Sequence, residues 1–165
     1  MSNLIANPSS DKLNNAKSTE SIKLLVFDIG KLTLALPILQ VQKVIRQQEV
    51  HGSGLSYVNL LHLQEEEVTI VDLHQKLFGV SITQPESTGY FVLSKNVRGE
   101  SLGIAVPQSP TLIDVSLDLI RLLPDTYRHA DTLEIASYVT VIERDETTMT
   151  IFILDLARLV STRSR

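Results

Sequence analysis

The most constraining feature of this chain is a short unit that occurs twice. Residues 68–71 (VTIV) form a β-branched run of the kind that packs as an extended strand. Asp72 follows at once, and its carboxylate can accept hydrogen bonds from the free N–H groups that open a helix. Leu73 and Leu77 then stand one helical turn apart, and Gly79 lies where a left-handed residue closes a helix. The spacing predicts strand, Asp cap, short amphipathic helix and glycine stop. Residues 151–160 (IFILDLARLV) repeat the strand, the capping Asp155, a leucine and another leucine about one turn on.

The stretches before these units also match. Residues 22–29 (IKLLVFDI) lead through Gly30-Lys31 into LTLAL, ending at Pro37; residues 90–94 (YFVLS) lead through a polar turn into LGIAV, ending at Pro107. Proline has no N–H to continue a ladder, so both read as hairpins that stop there. Two hairpins ending in proline and two strand–Asp–helix units therefore follow in the same order. The pattern implies a mainly β, internally duplicated fold with halves at about 22–80 and 89–160, without fixing which strands cross between them. Neither half is large enough to be comfortably stable alone, so the two share an apolar seam.

Between these landmarks, residues 38–45 read as a bent segment turning a barrel corner, 51–54 (HGSG) as a loop and 57–63 as a strand. Residues 64–67 form a polar tip. TQPESTG at 83–89 is a linker by composition. Residues 110–113 and 119–123 are further apolar segments, and 124–131 is a polar loop. Residues 132–143 and 149–154 read as strands around a charged turn. The tails at 1–21 and 161–165 are polar, and the first is expected to be disordered because it cannot bury enough surface to offset its ordering entropy.

Composition limits the function classes. A net charge of -4 and 5% aromatic content argue against nucleic-acid binding, which favours basic stripes and stacking rings. With no cysteine, disulfide scaffolds and thiolate metal sites are excluded. The N-terminus lacks a signal-peptide core and no run is long enough to span a membrane, so a cytoplasmic location is expected. His62, Glu65, Glu66, Glu67, Asp72 and His74 contain metal-ligand types, but there is no H-E-x-x-H, the glutamates suit a solvated tip, and Asp72 suits a cap. Ser53 lacks the strand-to-helix turn of a nucleophile elbow, and His129 has no nameable partner. No catalytic residue, metal or cofactor is expected.

These residues resemble the CheW-like domain family. VFDIGKLTLALPILQVQKVI (26–45) looks like the opening of such domains, and 63–79 looks like their "LRGxViPVvDLrxxlG" segment. ESLGIAVP is similar to "glvVD", and TIFILDLARLV to the closing "l.lLDlerLl". The likeness spans about 22–160. It implies two five-stranded β barrels and a non-catalytic adaptor between chemoreceptor-type sensors, through their cytoplasmic tip, and a CheA-type histidine kinase. Family positions at the partner-binding groove are Val41, Val44, Leu63, Gln64 and Glu65. Three departures stand out: Gln64-Glu65 in place of Arg-Gly, Thr69 in place of proline, and Pro107 in place of Asp. A charge-assisted hydrogen bond is worth roughly 1.5–3 kcal/mol, so losing an Arg there weakens a partner by about tenfold to a hundredfold. A contrasting reading makes the chain a standalone interaction module that attracts a basic partner through Glu65, Glu66 and Glu67.

Overall fold

A computed structural model describes residues 20–81, 88–128 and 133–160. Residues 1–19 of the expected N-terminal tail, the C-terminal tail, most of the 83–89 linker and His129 lie outside the described residues, while Ser21, expected in the tail, already begins the first strand. In chain order the strands are β1 (Ser21–Ile29), β2 (Leu32–Pro37), β3 (Val41–Arg46), β4 (His51–Leu55), β5 (Val58–Leu63), β6 (Glu66–Val71), β7 (Tyr90–Lys95), β8 (Ser101–Val106), β9 (Thr111–Ser116), β10 (Ile120–Leu122), β11 (Ala136–Arg144) and β12 (Thr147–Leu154). Helix α1 is Leu73–Phe78, helix α2 is Asp125–Arg128, and single 3-10 turns occupy Ile38–Gln40, Leu117–Leu119 and Leu156–Arg158. Among the described residues no helix is long and apolar enough to cross a membrane.

The strands form two six-stranded sheets. Sheet I runs β9-β1-β2-β12-β11-β10 and sheet II runs β3-β7-β8-β6-β5-β4. Laid side by side, the orders match strand for strand: in each, a hairpin lies between one antiparallel and one parallel neighbour. β2 meets β12 in parallel (Phe152 opposite Leu34), and β8 meets β6 in parallel (Ile70 opposite Gly103). The duplication read from the sequence is thus present in the topology.

The sheets do not follow the sequence halves 22–80 and 89–160. Each half gives its first hairpin to the other: β1–β2 sits between β9 and β12, and β7–β8 sits between β3 and β6. Among the described residues each sheet also has six strands where five were expected. The additional strand includes β4, at a stretch read as a loop. His51–Leu55 has no apolar alternation, and it is extended because it pairs with β5, with a bulge between Gly52 and Leu55.

Both sheets curl. The end strands β3 and β4 are consecutive in the chain, joined by residues 47–50, and the end strands β9 and β10 are joined by the turn Leu117–Leu119. Links this short reach at most about 15–18 Å at roughly 3.3–3.6 Å per residue, so the ends of each sheet must come close. The result is two barrel-like subdomains.

Three buried clusters explain the continuous apolar runs. Leu24, Val26, Ala35, Ile151 and Ile153 fill sheet I. Phe91, Leu93, Ala105, Val68 and Ile70 fill sheet II. The seam between the sheets takes the alternate residues of the same strands: Leu25 and Phe27, Leu34 and Leu36, Val92, Ile104 and Val106, Val71 and Leu154. A strand buried on both faces has no polar side, so LLVF and FVL are apolar throughout. Packing inside sheet II is tight enough that a Cβ at Gly103 would lie 2.6 Å from the Ile70 side chain and 2.8 Å from that of Leu93.

Candidate functional site

The site expected from the sequence divides into a structural half and an exposed half. The structural half is the pair of capping aspartates. Asp72 Oδ1 accepts from the Gln75 N–H at 3.0 Å, and Oδ2 accepts from the Ser81 hydroxyl at 2.6 Å. The Asp72 N–H donates to the Tyr57 carbonyl at 2.8 Å, fixing where β6 ends. Asp155 repeats the arrangement: Oδ1 accepts from the Ala157 N–H at 3.1 Å, Oδ2 from the Ser137 hydroxyl at 3.0 Å, and its N–H donates to the Ile135 carbonyl at 2.9 Å. Helix α1 closes at Gly79, which is left-handed (φ 80°) and donates to the Gln75 carbonyl. After Asp155 the helix is only a 3-10 turn.

The exposed half is the β5–β6 hairpin. Leu63 faces Glu66 across the closing pair, leaving Gln64 and Glu65 as a two-residue turn. Gln64 holds φ 51°, a left-handed conformation that a side chain with Cβ adopts at a cost. Leu63, Gln64, Glu65 and Glu66 line one side of a cleft of about 260 Å³, and Gln42 and Lys43 of β3 line the other. The sequence reading missed Gln42 and Lys43. A register shift between Val41 and Lys43 turns two successive polar side chains out of the sheet, and a polar pair within an otherwise Val/Ile-rich run is the available sign of it.

Val41 and Val44 do not line this cleft. Val41 is half-buried against the seam between the sheets, and Val44 pairs with buried Val92. The structure therefore brings Leu63, Gln64 and Glu65 together and sets the two valines beside them, along the same strand as Gln42 and Lys43.

Charges at the tip are partly matched. Glu66 meets Lys95 at 3.2 Å, and Glu67 lies 3.6 Å from the His62 ring nitrogen. Both contacts are solvated, where such pairs add little stability. The metal-ligand types are dispersed: Asp72 caps α1, the His74 ring pairs with the Val80 carbonyl at 2.7 Å, and His62 faces Glu67. Among the described residues no three His, Cys, Asp or Glu side chains stand close enough to hold a metal.

A family model for the CheW-like domain matches residues 23–164. Among solved structures, the scaffolding protein TtCheW from Thermoanaerobacter tengcongensis superposes with a TM-score of 0.67 at 14% identity, covering 83% of this chain and 86% of that one. At that identity the likeness speaks for the fold alone. No curated protein sequence matches the chain.

Proposed function

The chain belongs to the CheW-like domain family, and from that premise we propose that it is a non-catalytic, cytoplasmic adaptor coupling chemoreceptor-type sensors to a CheA-type histidine kinase in a chemotaxis or motility pathway. The observation that carries this reading is the family match over residues 23–164, together with a fold whose polar groups serve as caps and turns. Work by contact needs surfaces, and each sheet presents two end strands able to take a partner. A related barrel docked there would bury on the order of 1,600 Å² in total, the common size of a specific interface.

The receptor side of the reading rests on the cleft at Leu63, Gln64 and Glu65, with Val41 and Val44 beside it. Gln64-Glu65 replaces a cation and a glycine by a neutral amide and a carboxylate, so an acidic partner is held less tightly here. The contrasting reading, an acidic lure, is weakened because Lys95 already pairs with one of the three glutamates, Glu66. Light scattering of the chain mixed with its cognate CheA-type kinase tests the proposal. A complex at tens of micromolar is expected, and none at that concentration would overturn it.

A further inference from the structure

Two histidines from neighbouring strands of sheet II face each other on its outer surface. His51 opens β4 opposite Leu60 of β5, and His62 lies two residues further along β5, so both side chains leave the same face. Leu61, which alternates with them, points instead into the filling of sheet II. The two ring centroids are 5.6 Å apart, with the planes tilted by 57°. The His62 side chain is 63% exposed, and its Nε2 lies 3.6 Å from Oε2 of Glu67, directly across on β6. The sequence reading grouped His62 with Asp72 and His74, whereas the pairing of β4 with β5 gives it His51 as a neighbour.

This spacing suits a shared metal ion. With metal–nitrogen bonds of about 2.0–2.1 Å, two imidazoles on one tetrahedral ion place their centroids about 5–5.5 Å apart. Imidazole favours the late divalent ions, zinc, nickel and copper, over magnesium and calcium. Glu67 adds a negative charge beside the pair and is placed to hold the second ring N–H of His62, as carboxylates do for ligating histidines. Water completes the coordination, because among the described residues no third His, Cys, Asp or Glu stands close enough to join.

We propose that His51 and His62 chelate one late divalent transition-metal ion, which staples β4 to β5. β4 has little else to hold it. All five of its residues are exposed, two of them are glycine, and a bulge interrupts its pairing with β5 between Gly52 and Leu55. A strand with no buried apolar side chain belongs to the low-stability end of a fold. An ion held by both strands binds only the paired form and so shifts β4 towards order. The metal thereby sets the order of an end strand of sheet II. The proposal goes beyond the adaptor reading, and its test requires no kinase or receptor.

Zinc titrated into the untagged full chain, followed by calorimetry and by hydrogen exchange, decides it. One ion per chain is expected, with binding weakened about tenfold or more by His51→Ala or His62→Ala and by a smaller factor in Glu67→Gln. His74→Ala should bind as the wild type does, since that ring already meets the Val80 carbonyl. Zinc should slow amide exchange across His51–Leu55 in the wild type and not in His62→Ala, with β7 unchanged. Equal affinity in the wild type and in the His51 and His62 variants would overturn the proposal. So would unaltered exchange of β4 at saturating zinc, or one ion per two chains, which assigns the metal to a bridge between copies.

Discussion

Asp72 and Asp155 occupy equivalent places in the two sheets, and their surroundings differ in an instructive way. Both end a central strand, both take a hydroxyl and a backbone N–H, and both anchor a neighbouring carbonyl. Asp72 is 1% exposed and opens an α-helix closed by Gly79, while Asp155 is half-buried, meets Arg158 at 3.4 Å and opens one 3-10 turn. The hairpin tips diverge further: Gln64-Glu65 in sheet II and Asp145-Glu146 in sheet I both lack glycine and both place Glu second, but the first tip has one left-handed residue, Gln64, and the second has two. The duplicated scaffold is kept where buried polar groups require partners, and it varies where side chains meet solvent.

The exchange of hairpins gives the severest test of this pairing. Separate chains covering residues 1–85 and 86–165 would each lack a hairpin from the middle of a sheet. Each is expected to be unfolded by circular dichroism, and mixing them should restore the β signal. Independent folding of either half would break the equivalence of the two sheets.

Removing the caps should separate the buried one from the open one. Asp72→Ala removes a buried helix cap and the carboxylate that accepts from the half-buried Ser81 hydroxyl, for a cost of about 2–3 kcal/mol. Asp155→Ala is expected to cost about 1–1.5 kcal/mol, because water can replace the lost acceptor. Urea denaturation of both variants measures the difference. Gly103→Ala forces a methyl against Ile70 and Leu93 and should cost about 1–3 kcal/mol by the same assay.

The smallest effect is at the tips. Gln64→Gly relieves a left-handed residue and should stabilise by about 0.5–1 kcal/mol. Asp145→Gly should give less, since Asp tolerates that conformation better than Gln does. Equal gains would show that strain does not distinguish the two tips.

Much of this was legible in the residues. The runs LLVF and FVL read as strands because burial on both faces leaves no polar alternation, and Asp72 with Gly79 marked the ends of α1. Which sheet receives each hairpin was not legible, since the pattern of a two-faced strand is satisfied in either. β4 was missed because HGSGL carries no strand signal of its own and depends on β5. At the candidate site, Leu63, Gln64 and Glu65 were named through the family resemblance, whereas Gln42 and Lys43 reach the cleft only through a bulge that exists once β3 pairs with β7.

On the proposed adaptor role, the scaffold supplies the docking surfaces and the tip at Gln64-Glu65 sets whom the protein binds. Titration of a chemoreceptor tip with the wild type and with a Gln64→Arg/Glu65→Gly variant tests it most directly. The variant is predicted to bind about tenfold to a hundredfold more tightly, as one recovered charge-assisted hydrogen bond implies. Equal affinity in the two proteins would contradict the claim.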